Sequence, residues 1–348
     1  MNRYLPPMLL LALIAGAGTA GAEENHPGVL EEPLTVEVGD GVRLAGVLTR
    51  PEGVGRPPVV QFVQWLSCDT VTLEPSRQDG WSRMLRRLVR DSGYAVARVD
   101  KRGVGQSGGG PCSALDFDTE LADHRAVFSA LRRRQDIDTR RIVLFGASMG
   151  SRYAPLIAAG EDAIAGVLVW GGGSLTWFER MLGFDRNALE LAGTEPGAVN
   201  ARMKEHTRLL VHYLVEGGDP PAIIRDNPDL ASTWSETIGT SPHDHYGRPF
   251  AFHQQAQRAD WAAAWARVEV PVLAVQGAYD WFESPAGGRT IERLAPNARF
   301  QVIPRMDHHF TLFDSAEQAF AEQGGRPDPE PFLELALPWL RSVLVRER

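Results

Sequence analysis

The stretch "RRIVLFGASMGSRYAP", residues 140–155, runs four apolar residues, Ile142 to Phe145, straight into Gly146-Ala147-Ser148-Met149-Gly150. A dense apolar run of this length reads as a strand buried on both faces, and "YAPLIAA" (153–159) behind the serine reads as a helix. The chain therefore turns abruptly around one serine. A turn tight enough to lift Ser148 above a sheet brings its neighbours together, so Cβ atoms at positions 146 and 150 would clash. G-x-S-x-G between a strand and a helix is the nucleophile-elbow pattern, with the hydroxyl at the positive end of the helix. A glycine-flanked turn with an incidental serine would look the same locally. The rest of the chain has to decide.

Outward from that turn, "LTVEVGDGVRLAGVLTRP" (34–51) alternates about Gly39-Asp40-Gly41 and predicts a hairpin. Strands are predicted at "PPVVQFVQWL" (57–66), "YAVARVD" (94–100), "AIAGVLVWGGG" (163–173), "VPVLAVQGAYD" (270–280) and "ARFQVIP" (298–304). Helical spacing appears in "DGWSRMLRRLVRDSG" (79–93), "FDTELADHRAVFSALRRR" (117–134), "GGRTIERLAP" (287–296) and "PFLELALPWLRSVLVRE" (331–347). Strands and helices in alternation, with strands continuously apolar, predict an α/β fold: a mostly parallel, doubly wound sheet covered on both faces. Residues 174–260 break the pattern with helical stretches alone. They are expected to form a helical cap insertion over the sheet edge, between core segments 23–173 and 261–348.

The 348 residues carry a formal net charge of −8, and no Lys/Arg-rich stripe is present to neutralise phosphates, which argues against a nucleic-acid partner. "LRRLVR" (85–90) and "LRRRQ" (131–135) read as the solvated faces of amphipathic helices. At the N-terminus, Arg3 precedes an apolar run from about Met8 to Ala17, and small residues follow at Ala20 and Ala22. That is the pattern of an export signal, residues 1–22, cleaved after Ala22; a retained anchor is the alternative, although the run is short for a membrane span. Losing Arg3 would take the charge from −8 to −9. No later stretch is long and apolar enough to cross a bilayer, so the mature chain is expected in the periplasm or outside the cell. Cys68 and Cys112 would then meet an oxidising compartment, where two lone thiols tend to pair; two unpaired, half-buried cysteines are the alternative.

A neutral serine hydroxyl is a poor nucleophile and needs a base and an orienting acid. "VPVLAVQGAYDWFESP" ends a predicted strand at Asp280, with Glu283 as the rival acid three residues on. "FQVIPRMDHHF" follows the next strand and offers His308, with His309 as the rival base. Ser, Asp and His then stand in that order, each on the loop after a strand.

These features together resemble the α/β-hydrolases over nearly the whole mature chain apart from the insertion. "VDKRGVGQSGG" (99–109) is similar to the Asp-x-Arg-Gly-x-Gly-x-Ser loop of the branch holding prolyl and serine aminopeptidases, carboxylesterases and haloperoxidases. The resemblance implies that this loop packs behind the elbow with Asp100 and Arg102 as a structural ion pair. Pro304-x-x-Asp307-His308 is similar to the family's catalytic-histidine loop, which favours His308. It also implies an oxyanion hole built from the Met149 N–H and a second N–H in the loop after the third strand. There this chain departs from the family, reading "VQWLSC" (63–68) in place of His-Gly. The second donor is Trp65 or Leu66, and Trp65 either narrows the acyl pocket or packs on a neighbouring loop. The third and fourth strands are neighbours in this fold, which puts Cys68 and Cys112 together at its rim, and a bond there would brace the oxyanion-hole loop.

"GGGSLTWFER" (171–180) is expected to overhang Ser148, making Trp177 and Glu179 candidates for the substrate lining. Glu179 either binds a substrate amine, as cap carboxylates do in related aminopeptidases, or is a helix-N-terminal acid. His243 and His245 have no obvious third ligand nearby, so no metal is expected, and this chemistry needs no cofactor. A serine at the elbow excludes the family's dehalogenase and epoxide-hydrolase chemistries, which use Asp there. The expected activity is hydrolysis of a small-molecule ester through Ser148, His308 and Asp280. A short peptide substrate is the close alternative; acyl transfer and a non-catalytic binding role stand further off.

Overall fold

The computed structural model describes residues 26–239, 241 and 244–344; the expected export signal (1–22) and His243 lie outside them. Eight strands form one sheet: β1 (Val29–Glu37), β2 (Arg43–Pro51), β3 (Val59–Val63), β4 (Ala95–Val99), β5 (Ile142–Ala147), β6 (Ile164–Trp170), β7 (Val272–Gly277) and β8 (Ala298–Ile303). Their order is β1-β2-β4-β3-β5-β6-β7-β8. β2 pairs antiparallel with both β1 and β4, and every pairing from β4 to β8 is parallel.

The apolar runs seen in the sequence follow from burial on both sides. In β3, Val59 and Val63 face one core while Val60 and Phe62 face the other. Ile142 and Leu144 of β5 point with the first pair, and Val143 and Phe145 with the second. Side chains alternate across a strand, so a sheet covered on both faces needs apolar residues at every position. Helices α1 (Gly80–Asp91) and α11 (Glu330–Leu344) cover one face through Met84, Leu85, Leu88, Leu333 and Leu340. The other face is covered by α2 (Phe117–Arg132), α3 (Gly150–Ala158) and α10 (Pro285–Leu294), through residues such as Phe128, Ile157 and Ile291.

Between β6 and β7 the chain makes α4 (Trp177–Leu191), α5 (Pro196–Leu210), α6 (Pro220–Asp226), α7 (Ala231–Thr237), α8 (Phe250–Arg258) and α9 (Trp261–Ala266). These helices are tied to the core by side chains that cross over: Phe252 of α8 sits edge-on to Phe117 of α2, with ring centroids 5.9 Å apart. No described helix is long and apolar enough to span a membrane.

One expectation about the loop after β4 needs correction. Arg102 does not pair with Asp100; its guanidinium forks onto Asp123 of α2 at 2.7 and 2.8 Å and also reaches Asp40 of the hairpin turn. Asp100 instead accepts from Thr70 Oγ1 (2.9 and 3.0 Å) and from the Val71 N–H (2.7 Å). The two charges are spent on different neighbours, one bracing the hairpin and the other the loop after β3.

Candidate active site

Ser148 lies between β5 and α3 with φ of +54°, a left-handed conformation that costs a non-glycine residue about 1–2 kcal/mol. The surroundings hold it there. Its N–H donates to the Trp170 carbonyl (2.8 Å), and its own carbonyl accepts from Ser151 Oγ (2.6 Å). A Cβ on Gly146 would lie 2.4 Å from the Gly150 carbonyl oxygen, and one on Gly150 would lie 1.9 Å from that of Val63. Both elbow glycines are therefore required by close backbone approach.

His308 reaches this serine from the loop after β8. Its Nε2 is 2.9 Å from Ser148 Oγ, and its Nδ1 is 2.8 Å from Asp280 Oδ2. Asp280 is buried, and its Oδ1 accepts from the N–H groups of Phe282 (3.0 Å) and Glu283 (3.3 Å). With the carboxylate fixed on Nδ1, the proton of a neutral ring belongs there, leaving Nε2 as an acceptor facing the hydroxyl. The ring packs against Phe282 (4.9 Å) and Trp81 (6.1 Å), and Trp170 Nε1 donates to the His308 carbonyl (3.0 Å). Gly171, with φ of +58°, lets the end of β6 approach: a Cβ there would sit 2.8 Å from the imidazole.

The two rivals go elsewhere. His309 lines the cavity but has no hydrogen bond to Ser148 among the described residues; its side chain is 43% exposed, with Nδ1 3.6 Å from Asp307. Glu283 is buried between Arg152 Nη2 (3.2 Å) and Arg180 Nε (3.0 Å).

The loop after β3 passes beside the elbow. Neither the Leu66 nor the Met149 N–H has a hydrogen-bond acceptor among the described residues. The loop is clamped from below through its carbonyls. Lys101 Nζ donates to Trp65, Leu66 (3.0 Å) and Ser67 (3.0 Å), and Arg248 donates to Leu66 through Nε (3.0 Å) and Nη2 (2.6 Å). Both cations meet Glu120 of α2, Lys101 at 3.2 Å and Arg248 at 2.8 Å, and all three are buried. Burial pushes the Glu120 carboxyl up, but the two cations outweigh it and hold its pKa at about 2. The Cys68–Cys112 disulfide, with Cα atoms 5.8 Å apart, ties the far end of the loop.

Ser148, Met149, His308 and His309 open into a cavity of about 290 Å³ lined by Trp65, Leu66, Trp81, Trp177, Phe184, Tyr246 and Phe282. Trp65 both lines it and packs on Trp81 (4.8 Å). Trp177 also lines it, its Nε1 donating to His253 Nδ1 (3.1 Å). His253 in turn donates from Nε2 to the His245 carbonyl (2.7 Å), and burial lowers its pKa to about 3. Glu179 is not in the lining. Its exposed carboxylate accepts from Thr176 N–H (2.9 Å) and Oγ1 (2.7 Å), closing a capping box at the start of α4. The third residue of a helix serves its own N-terminus, and the inward position falls to Arg180.

The sequence model described as serine aminopeptidase, S33, matches residues 81–315, from α1 to beyond the histidine loop. The chain belongs to this family. As an S33-family α/β hydrolase it is an enzyme of the serine-hydrolase type. It is 28% identical over 141 residues to the quorum-quenching protein AidA of Acinetobacter baumannii (strain MDR-ZJ06), covering 40% of this chain and 44% of the relative. The S33 chain thus spans less than half the length of that curated relative. Among solved structures it is similar to the alpha/beta hydrolase GrgF from Penicillium sp. sh18, at 16% identity and TM-score 0.56, covering 90% of this chain and 99% of the other. A Pyrococcus furiosus esterase gives 13% identity and TM-score 0.53, covering 94% and 100%. These likenesses show the α/β-hydrolase fold.

Proposed function

We propose that this S33-family hydrolase is an exported enzyme that cleaves a carboxylic ester of a small molecule. Ser148 attacks the carbonyl as His308 Nε2 takes its proton, and Asp280 holds the ring and steadies the imidazolium. The N–H of Met149 and that of Leu66 or Trp65 receive the oxyanion, His308 returns its proton to the leaving alcohol, and water releases the acyl group from Ser148. The observation that carries this reading is the unbroken relay from Ser148 Oγ to His308 Nε2 (2.9 Å) and from His308 Nδ1 to Asp280 Oδ2 (2.8 Å). Residues 174–260 act as a cap whose Trp177, Phe184 and Tyr246 shape the acyl and alcohol sites. Export is supported by the apolar N-terminal run and the disulfide.

Aminopeptidase activity is the second reading, favoured by the family description. Against it, Glu283, the buried acid among the described residues that line the cavity, already faces two arginines and is poorly placed to receive a substrate ammonium group. Short 4-nitrophenyl esters assayed beside aminoacyl-naphthylamides separate the two. Ester turnover without amide turnover is expected; efficient amide turnover that requires a free N-terminus would reverse the assignment. The partial likeness to a quorum-quenching protein makes quorum signals worth including in the ester screen.

A further inference from the structure

The cavity beside Ser148 holds a cluster that the hydrolytic relay does not use. Arg152 stands one helical turn after the serine on α3, Arg180 hangs from α4, and Glu283 follows Asp280 by three residues. All three line the cavity. Two cations share one carboxylate, so the cluster carries a surplus positive charge among tryptophan and phenylalanine rings. Asp280 belongs to the relay and is engaged by His308, while Asp69 accepts from Ser67 Oγ (2.7 Å) and Arg77 pairs with Asp79 (3.4 Å). Asp185 on α4 is bonded to His206 (3.1 Å) and does not line the cavity.

The two arginines differ in what they have left to give. Arg152 is consumed by the protein, donating Nη1 to the Leu175 carbonyl (2.7 Å) and Nη2 to Glu283. Arg180 gives Nε to Glu283 (3.0 Å) and Nη1 only to the weak acceptor Met181 Sδ (3.2 Å). Its Nη2 has no partner among the described residues. The side chain is 11% exposed, and its guanidinium lies over the rings of Trp177 (5.1 Å) and Phe184 (5.0 Å). A largely enclosed guanidinium held at one edge by a carboxylate, flanked by aromatic faces and with unspent donors at the other edge, is oriented to receive an anion.

We propose that Arg180 binds a carboxylate carried by the substrate, so that the preferred esters are anionic ones. This rests on the ester-hydrolase reading above and names its substrate class. The carboxylate can sit on the acyl side or on the alcohol side of the scissile bond, and two matched pairs of probes distinguish them. Mono-4-nitrophenyl glutarate against 4-nitrophenyl pentanoate tests the acyl side, and 4-acetoxybenzoate against 4-acetoxybenzamide tests the alcohol side. In at least one pair the anionic ester should have a kcat/KM higher by about tenfold or more, the size expected of a desolvated charge-assisted hydrogen bond. That preference should vanish in Arg180→Gln and return in part in Arg180→Lys. Independently of any variant, glutarate should inhibit pentanoate ester hydrolysis competitively, and glutaramide at matched ionic strength should not. Neutral esters turned over as well as anionic ones in both pairs, or a preference that survives Arg180→Gln, would overturn the carboxylate site. Absence of turnover on all four esters would instead overturn the hydrolase reading on which it stands.

Discussion

At the scale of single residues, the site depends on a strained serine and a ring held from three sides. Ser148→Ala should remove turnover, and because Ala tolerates the left-handed turn no better than Ser does, its effect on the urea midpoint should be small. Asp280→Asn should keep the fold but offer the ring a donor where it needs an acceptor, lowering kcat by about 10⁴, the size known for serine proteases. His308→Ala should abolish ester hydrolysis while His309→Ala leaves it within a few-fold, since only the former ring touches Ser148 Oγ; the reverse ranking would move the base. Gly171→Ala is a subtler probe. Its new methyl would press on the imidazole from 2.8 Å, so steady-state kinetics should show a loss in kcat with KM little changed.

At the scale of elements, the loop after β3 carries the proposed oxyanion donors, and Lys101, Arg248 and the Cys68–Cys112 disulfide hold it. Cys68→Ser with Cys112→Ser should cost roughly 2–4 kcal/mol in urea unfolding, the usual range for a disulfide closing a loop of this size, and should lower kcat through loop mobility. Below the loop, Glu120→Gln would strand Lys101 and Arg248 without a counter-charge. A loss of about 3–5 kcal/mol is expected for breaking a buried charge cluster from one side. The pH dependence follows from the same group. Its folded pKa, about 2, lies below the ordinary 4.5, so its contribution is complete above about pH 4.5 and disappears as the pH falls towards 2. Urea midpoints measured between pH 5 and 2 should fall more steeply for the wild type than for Glu120→Gln.

At the scale of the molecule, what could be read from the sequence was what double-sided burial writes into it. Runs such as "IVLF" and "VLVW" are apolar at every position because both sheet faces are covered, and each became a central strand. The elbow was legible for a similar reason, since the backbone approaches at positions 146 and 150 leave room only for glycine. Charged groups were harder to place. Arg152, Arg180, Lys101, Glu120 and Arg248 look like surface residues by type, and their burial depends on partners as far as 182 residues away in the chain, as between Arg248 and Leu66. The signal that could have flagged Arg152 is an arginine one turn after the elbow serine, inside an otherwise apolar helix. Glu179 stood between a lining role and a helix-N-terminal acid, and its place three residues after Thr176 marks a capping box, which uses the acid locally.

The proposed chemistry requires Ser148 to be the activated nucleophile of this S33-family chain. The most direct measurement is reaction of the full folded chain with a fluorophosphonate, followed by mass mapping of the adduct. One adduct on Ser148 is predicted, absent in Ser148→Ala, strongly slowed in His308→Ala and retained in His309→Ala. No adduct on the folded wild type, or an adduct that persists in Ser148→Ala, would contradict it.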